Sequence, residues 1–273
     1  MKKYKTLILV STVVIFILVF CIWQNNDIVV TNYNYRTNQI SEGLDGFKIA
    51  QISDLHNKEF GKKSKRLLKI LEREDPNIIV ITGDLIDSRR TDITVALEFI
   101  KGAAKLAPIY YVTGNHEYRL NQNNWDRLMQ GMMKYQVRLL DNRIFLLEKE
   151  KGGIYLIGLG ANNLADTTLN TLCSYTDKDK LQIVLAHGPQ YIDHYSQSEA
   201  DLVLVGHVHG GQFRLPFIGG LIAPDQGIFP KYTAGAYKVK DTTMIVNRGM
   251  GNSIIPVRIF NRPEVVIVKL SKE

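Results

Sequence analysis

The sequence contains little cysteine and only one long apolar run. Its 273 residues include two cysteines, Cys21 and Cys173, which are too few for a disulfide framework or a cysteine-based zinc finger. Hydrophobic residues make up 45% and charged residues 22%, which excludes a disordered chain, a collagen-like repeat and a polytopic membrane protein. The length allows one large domain or two small ones, with enough residues for a substantial buried core.

Positive charge is also sparse once its position along the chain is considered. The chain carries 34 basic and 27 acidic residues, a formal net charge of +7, but three of the lysines lie within residues 1–5. The remaining sequence has only a small basic excess and lacks a basic stripe interleaved with aromatic residues. This composition disfavours nucleic acid as a partner, because phosphate backbones are bound by dense arrays of Lys and Arg.

The apolar run extends from Thr6 to Trp23 (TLILVSTVVIFILVFCIW). A helix of this length spans about 27 Å, close to the ~30 Å hydrocarbon core of a bilayer. A cleaved signal peptide is the main alternative, but its apolar core is normally ~7–15 residues long and ends in a small-residue cleavage site. This run ends in FCIW, and Phe20 also stands where a lipoprotein would need a small residue. We therefore predict an uncleaved transmembrane anchor.

The anchor divides the chain into four predicted segments. Residues 1–5 form a basic tail, residues 6–23 the transmembrane anchor, residues 24–27 a linker and residues 28–273 one catalytic-size domain. The positive-inside bias keeps the basic tail in the cytoplasm. This orientation predicts a single-pass protein of the cell membrane with its domain outside the cytoplasm, and we expect it to be monomeric.

Beyond the linker, short apolar runs alternate with helical patterns, which is typical of an α/β domain. The predicted helices are Lys63–Glu74, Ile93–Lys105, Asn124–Lys134 and Tyr191–Ser196. The predicted strands are Ile28–Thr37, Phe47–Ser53, Asn77–Thr82, Ile109–Thr113, Ile154–Leu159, Leu181–Ala186 and Leu202–Val205. Helical patterns end after residue 211, and two further strands are predicted at Thr242–Val246 and Val265–Leu270.

Polar side chains follow five of these strands, at the point where each strand ends. In open α/β sheets, the carboxyl ends of the strands converge on the ligand crevice. Five of the six histidines lie in these motifs, whereas His194 lies in a short predicted helix and is assigned to the surface. The motifs are Asp54-Leu55-His56, Gly83-Asp84-Leu85-Ile86-Asp87, Gly114-Asn115-His116-Glu117, His187 and Gly206-His207-Val208-His209.

The side chains in these motifs are carboxylates, imidazoles and one amide, without thiolate. Such donors suit Mn, Fe or Zn rather than a soft metal or a structural cysteine site. The number of candidate ligands exceeds what one ion with open positions needs, so it favours two divalent ions that share a carboxylate. Two ions about 3.5–4 Å apart can clamp an in-line displacement at phosphorus and generate a hydroxide nucleophile near neutral pH.

The order of the five motifs resembles the calcineurin-like metallophosphoesterase superfamily over residues 54–209. The GHVHGGQ motif at residues 206–212 looks like that of a bacterial, often membrane-anchored branch, which includes phosphodiesterases and UDP-diacylglucosamine pyrophosphohydrolase-like enzymes. The resemblance implies a four-layer α/β/β/α sandwich. It also implies a metal-dependent phosphoesterase that hydrolyses a phosphodiester or pyrophosphate bond, and the anchor favours a lipid- or envelope-linked substrate.

Carried over to the matching positions, the resemblance implies a role for each site residue. His116 would lie beside the scissile phosphate as general acid or transition-state stabiliser, and Asp87 would orient it. The residues alone also allow Asp87 to cap a helix. One ion would be held by Asp54, His56 and His209, and the other by Asn115, His187 and His207, with Asp84 bridging both.

Four other features refine this interpretation. Phosphoprotein phosphatases of the superfamily have an arginine where this chain has Ser88, so the resemblance argues against that activity. Arg89 and Arg90 follow and are expected to be solvated. Glu117 is expected to be structural, and Arg248–Asn252 resembles a segment that borders the active site in this branch.

Two other functions stay open from the sequence. A nucleotide phosphodiesterase or nuclease would use the same ligands, and only the modest charge of the domain argues against it. A non-catalytic scaffold of this fold is the other alternative, but such relatives generally lose the histidine at the position of His116 or some ligands. The motifs do not encode the physiological substrate or the identity of the metals, because leaving-group choice depends on the surrounding loops.

Overall fold

A computed structural model describes residues 2–149, 152–161, 166–215, 217–253 and 256–273. The first helix, α1 (Lys2–Asn26), is exposed from Lys3 to Val19 and is long and apolar enough to cross a membrane by length and composition. Residues 24–26 of the segment predicted as a linker form the last turn of α1 and pack against the domain, where Gln24 is buried.

The described residues of the domain form two six-stranded sheets and two short hairpins. Their strands are β1 (Val29–Arg36), β2 (Lys48–Ile52), β3 (Ile78–Thr82), β4 (Ile109–Val112), β5 (Arg138–Leu139), β6 (Arg143–Lys149), β7 (Gly152–Gly158), β8 (Leu181–Leu185), β9 (Leu202–Val205), β10 (Arg214–Leu215), β11 (Gly219–Gly220), β12 (Ile222–Ala223), β13 (Gly227–Ile228), β14 (Gly235–Val239), β15 (Thr242–Val246) and β16 (Glu264–Ser271). In the first sheet the strand order is β1-β16-β2-β3-β4-β5, and in the second it is β14-β15-β9-β8-β7-β6. The hairpins pair β10 with β11 and β12 with β13.

In the part of the chain that the structure describes, five further helices of four residues or more connect the strands. They are α2 (Lys65–Glu74), α3 (Ile93–Ala103), α4 (Gln122–Lys134), α5 (Asp166–Ser174) and α6 (Ile192–Gln197). The side chain of Asp92 caps α3 by accepting the backbone N–H groups of Thr94 and Val95. A carboxylate at this position satisfies amide donors that have no partner within the helix.

The sheets meet through their apolar faces. One buried cluster joins Val80 of β3 to Leu156 of β7 and Ile183 of β8, so it lies between the two sheets. A second cluster packs the first sheet on α2, α3 and α4, and a third packs the second sheet on α5 and α6. The mixed α/β class predicted from the sequence is confirmed. The four-layer order stays a prediction, with which these three clusters agree.

Parallel pairing explains where the polar motifs lie. β2, β3 and β4 are parallel neighbours in the first sheet, and β8 and β9 are parallel neighbours in the second. All residues of β3, β8 and β9 are buried, as expected for parallel strands covered on both faces. The loops that leave the carboxyl ends of these strands therefore gather at one edge of the domain.

Candidate metal centre

The structure brings all nine predicted site residues together at this edge. Asp54 and His56 follow β2, Asp84 and Asp87 follow β3, Asn115 and His116 follow β4, His187 follows β8, and His207 and His209 follow β9. Eight of these side chains are buried, and Asn115 is partly buried. His194 lies outside the cluster and, in contrast to the expected surface position, is partly buried beside the ring of Tyr191.

Asp54, His56 and His209 form the first group of potential ligands. One ligand atom from each of these residues lies within 4.8 Å of the others. Asp54 Oδ1 is 4.0 Å from His56 Nε2 and 3.7 Å from His209 Nε2. Such spacings leave room for a cation among the three donor atoms.

Asp84, His187 and His207 form the second group. Their donor atoms also lie within 4.8 Å of one another. His187 Nε2 is 3.3 Å from Asp84 Oδ2 and 3.0 Å from His207 Nδ1. Asn115 lines the same cavity, and its Oδ1 is buried without a hydrogen-bond partner among the described residues.

Asp84 is the residue that faces both groups. Its Oδ2 lies 3.6 Å from His56 Nε2 and 3.3 Å from His187 Nε2. Burial alone would raise the pKa of Asp84, but the charge and hydrogen bond of His187, together with His56, hold this pKa well below its usual range. The carboxylate is therefore ionised and lies between two imidazoles.

The donor atoms suit divalent cations. Both ring nitrogens of His56 are buried without a hydrogen-bond partner in the described part of the chain, which is costly unless another group satisfies them. Burial lowers the pKa of His56 to about 4 and that of His209 well below its usual value, so both rings are neutral and present lone pairs. Burial also lowers the pKa of His207. Imidazole, carboxylate and amide donors of this kind match Mn, Fe or Zn.

The backbone at the ligands is strained. Asp54, His56, Asp84, His207 and His209 all have φ between 46° and 71°, in the left-handed region that non-glycine residues rarely adopt. Such residues persist where the surrounding structure holds them in place, and they concentrate at functional sites.

Gly206 allows the two sheets to approach each other at the site. A Cβ atom at this position would lie 1.8 Å from Ser53 Oγ and 2.4 Å from Asp54 Oδ2. The residue before His207 must therefore lack a side chain.

Glu117 holds the loops after β3 and β4 together. Its carboxylate accepts the backbone N–H groups of Asp84 at 2.9 Å, Gly114 at 2.7 Å and Ile86 at 3.3 Å. Burial and the nearby charge of Asp84 raise the pKa of Glu117 to about 7. These contacts agree with the structural role expected for this residue.

His116 is oriented mainly by Ser88. The backbone N–H of Ser88 donates to His116 Nδ1 at 3.0 Å, and the Ser88 hydroxyl lies 3.1 Å from the same nitrogen. Asp87 Oδ1 is 3.6 Å from His116 Nδ1 and accepts the N–H of Arg89. The alternative that Asp87 caps a helix is wrong, because α3 begins at Ile93 and is capped by Asp92.

A cavity of about 240 Å³ opens onto the second group of ligands and His116. Two guanidinium-bearing residues, Arg89 and Arg119, line it and could neutralise an anionic substrate. Arg89 is exposed, as expected from the sequence, and it also borders the site. Ser253 also lines the cavity, with its Oγ 3.4 Å from His116 Nε2.

Sequence reasoning missed two residues that contact the ligands. Asp225 Oδ2 lies 2.9 Å from His207 Nε2, on the opposite side of the ring from His187. A carboxylate in this position fixes the tautomer of a metal-binding histidine. Asp225 lies in the segment Pro224-Asp225-Gln226-Gly227, whose residue types are typical of an ordinary turn. No sequence pattern therefore indicated that Asp225 contacts a ligand.

Arg258 is the second such residue. It is fully buried, and its Nη1 donates to the carbonyl of Arg248 at 2.9 Å, while its Nε donates to that of Gly251 at 3.1 Å. Its Nη2 lies 3.5 Å from His209 Nδ1. Burial lowers the pKa of Arg258 to about 10. It therefore joins the predicted border segment Arg248–Asn252 to the first group of ligands.

Known proteins resemble this chain along most of its length. The zebrafish (Danio rerio) transmembrane protein with metallophosphoesterase domain is 28% identical over 250 residues, which cover 86% of this chain and 55% of that protein. Phosphodiesterase YaeI of Escherichia coli is 26% identical over 227 residues, which cover 82% of each chain. The crystal structure of TT1561 of Thermus thermophilus has a TM-score of 0.52 at 12% identity and covers 75% of this chain and 90% of that one, which supports the fold alone.

A family model gives the decisive comparison. Residues 47–211, which are more than half of the chain and include all nine predicted site residues, match the model of the calcineurin-like phosphoesterases. The resemblance recognised in the five motifs is thereby confirmed. The chain belongs to the calcineurin-like phosphoesterase family and is a metal-dependent phosphoester hydrolase.

Proposed function

We propose that the protein is a single-pass membrane phosphodiesterase with two divalent ions, and that it hydrolyses a phosphodiester or pyrophosphate bond in a lipid- or envelope-linked substrate. The observation that carries this proposal is the position of Asp84, whose Oδ2 faces His56 of one ligand group and His187 of the other. A single carboxylate that faces the imidazoles of both ligand groups is the arrangement in which two ions would share a ligand.

The ligand roles follow from the two groups. Two bound divalent ions would supply Lewis-acid chemistry, by neutralising phosphate charge and lowering the pKa of water. Asp54, His56 and His209 would hold one ion. Asn115, His187 and His207 would hold the other, and Asp84, which faces both groups, would be shared between them.

His116 supplies a proton to the leaving oxygen from Nε2, which lies near Ser253 Oγ in the cavity. The donor must be the imidazolium, because a neutral imidazole is too weak an acid for this step, and donation leaves the ring neutral. In the imidazolium Nδ1 can donate to the Ser88 hydroxyl at 3.1 Å, and Asp87 Oδ1 at 3.6 Å from Nδ1 stabilises the positive charge. Arg89 and Arg119, which line the cavity, would bind phosphate oxygens of the substrate.

The membrane part of the proposal rests on α1. Its side chains from Lys3 to Val19 are exposed, and its length and composition suit a bilayer span. The zebrafish relative is named as a transmembrane protein, and the Escherichia coli relative as a phosphodiesterase. The lysines that precede the span favour an orientation with the domain outside the cytoplasm.

The direct test uses the purified full chain in detergent with bis-(p-nitrophenyl) phosphate and added Mn²⁺, Fe²⁺ or Zn²⁺. We expect hydrolysis that a chelator abolishes and that Asp84→Asn lacks, whereas the exposed carboxylate variant Asp193→Asn should be fully active. Failure of all three ions to support hydrolysis would favour a non-catalytic scaffold. A screen of lipid, glycan and nucleotide phosphates then identifies the substrate class, and preference for nucleotides would overturn the lipid-linked assignment.

The orientation has its own test. Protease added to intact cells should digest the domain. Protection of the domain from protease would place it in the cytoplasm and contradict the proposed topology.

A further inference from the structure

Exposed apolar side chains concentrate in one part of the domain. Outside α1, ten large apolar or aromatic side chains are exposed among the described residues, and seven of them lie between residues 215 and 260. Scattered apolar residues on a surface are ordinary, but a concentration of them marks an interaction site. The seven are Leu215, Phe217, Ile218, Ile222, Ile228, Phe229 and Phe260, which we call the apolar rim.

The apolar rim is joined to the membrane-spanning helix through Phe260. The ring of Phe260 contacts that of Phe20 in α1, with centroids 5.5 Å apart. Phe20 lies within the predicted span, about 4.5 Å closer to its centre than Trp23, given the ~1.5 Å rise per helical residue. If Trp23 lies at the interface, where tryptophan is enriched, Phe260 reaches the depth of the lipid tails.

The two hairpins continue from Phe260. The neighbouring residue Ile259 forms a bridge with Phe213, and its carbonyl accepts the N–H of Arg214 at the start of β10. The N–H of Leu221 donates to Phe213, and the N–H of Phe229 donates to Leu221. These hydrogen bonds link Phe260 to the β10–β11 hairpin and then to the β12–β13 hairpin.

The hairpins carry bulky side chains that nothing in the described structure covers. Phe217 is fully exposed, Ile228 is 72% exposed and Phe229 is 67% exposed. Phe217 and Phe229 have positive φ values of 68° and 55°, so the backbone adopts a rare conformation to present them. Such side chains disfavour a fully aqueous environment.

The end of α1 is also fixed to the segment that carries Phe260. Asn25 Oδ1 accepts the side-chain N–H of Asn252 at 2.9 Å and the backbone N–H of Arg258 at 3.2 Å. Gln24 Oε1 accepts the backbone N–H of Asn261 at 3.2 Å. The guanidinium of Arg262 stacks over Trp23 at 5.3 Å. These contacts fix the orientation of α1 relative to the domain. They therefore determine how far the domain lies from the bilayer.

We infer that the apolar rim is a membrane-docking surface, which inserts into the leaflet at the domain end of α1. The occupant is lipid, because the rim continues from a helix whose own exposed side chains require lipid. The turn between β12 and β13 places Asp225 against His207, and Pro224 and Asp225 line the catalytic cavity. Docking therefore holds one edge of that cavity at the bilayer surface. The inference rests on the proposed membrane anchoring but not on the catalytic roles.

Site-specific fluorescence tests this surface in the full chain. Cys21→Ala removes the thiol in α1. The other thiol, Cys173, is buried, which raises its pKa to about 11 and keeps it unlabelled at neutral pH. Single cysteines for a polarity-sensitive fluorophore are then introduced as Phe217→Cys in the rim, Val13→Cys in α1 and Met133→Cys on α4. Met133 is the matched control, since it is exposed and apolar but lies outside the rim. Each protein is reconstituted in vesicles with and without lipids that carry a nitroxide on the acyl chain.

We expect strong nitroxide quenching at positions 13 and 217 and little at position 133. Quenching at 13 without quenching at 217 would overturn the docking surface while leaving the anchor intact. A blue-shifted emission at 217 without nitroxide quenching would also overturn it, because protein, from a second copy or another partner, would then cover the rim. Absence of quenching at 13 would refute the anchor itself, and the docking surface with it.

Discussion

Replacing His116 with alanine tests the proposed proton donor most sharply. The imidazole is buried, its Nδ1 accepts the N–H of Ser88, and Nε2 is the nitrogen left to donate. The two groups of ligands do not depend on this ring in the proposed scheme, so His116→Ala should keep its metals. General acid catalysis is worth about 10²- to 10⁴-fold, which corresponds to about 3–5 kcal/mol of activation free energy.

The assay compares two phosphodiesters that share one phosphate centre and differ in the alcohol that leaves. A p-nitrophenyl ester leaves readily without a proton, whereas an alkyl ester needs one. We expect His116→Ala to lose turnover within the stated range on the alkyl diester and to lose much less on the p-nitrophenyl diester, with unchanged metal content. His194→Ala removes an imidazole outside the site and serves as control, with full activity expected.

Two results would refute this reasoning. An equal loss on both diesters would show that His116 does not deliver the proton, and that it stabilises charge instead. A loss of metal together with activity would show that His116 is a ligand, as the proximity of its ring to His56 and Asp84 also permits.

Three further predictions concern the surroundings of the site. Gly206→Ala should lower both the melting temperature and the metal content, because the new Cβ would overlap Ser53. Overpacking of this kind lowers the free energy of unfolding by about 1–3 kcal/mol, and an unchanged melting temperature in detergent would contradict the prediction. Asp225→Asn should weaken metal binding about 10- to 100-fold, as loss of a carboxylate behind a ligating histidine does. Calorimetric titration with Mn²⁺ measures the affinity, and equal affinity in the variant and the wild type would show that the contact with His207 is incidental. In the folded protein, the Cys173 thiol should react with iodoacetamide at pH 8 about a hundredfold more slowly than in the unfolded chain, because burial raises its pKa from 9.0 to about 11. Peptide mass spectrometry measures the rate of this reaction, which should rise with pH until about pH 11.

The sequence predicted most of the elements that position the site. Strands such as Leu202–Val205 and Ile109–Thr113 are short, apolar and followed by polar residues, so both their position and their ends were readable. The helix predicted at Ile93–Lys105 matches α3 within two residues at its end. Burial on both faces gives parallel strands a continuous apolar sequence, and this is the clearest pattern that a single sequence offers.

Elements at the margins of the sheets were missed for a physical reason. β6 and β14 lie at the edges of the second sheet, and much of each is partly or fully exposed. β14 lacks a continuous apolar run, whereas β6 contains the short run Ile144–Leu147, which the sequence analysis overlooked. The four hairpin strands β10 to β13 are two residues long, which is below the length at which alternation can be recognised. Their positions depend on pairing with distant segments such as residue 259, which local sequence does not encode.

The same limit applies to the candidate site. The ligands stand at strand ends, so topology alone gathers them. Asp225 and Arg258 reach the ligands from the strand-rich half of the chain, where no motif or strand end marks them. Ser88 is visible in the sequence as a departure from the phosphoprotein phosphatase pattern, but only the structure shows that its N–H fixes the ring of His116.

Metal stoichiometry tests the central claim most directly. The full chain, purified and loaded with Mn²⁺, should contain two ions per chain by elemental analysis. Asp84→Asn, which removes the charge facing both ligand groups, should lose ions and hydrolysis of bis-(p-nitrophenyl) phosphate together. A fully active wild-type protein with one ion per chain, or an Asp84→Asn variant that keeps two ions and full activity, would contradict the two-metal account.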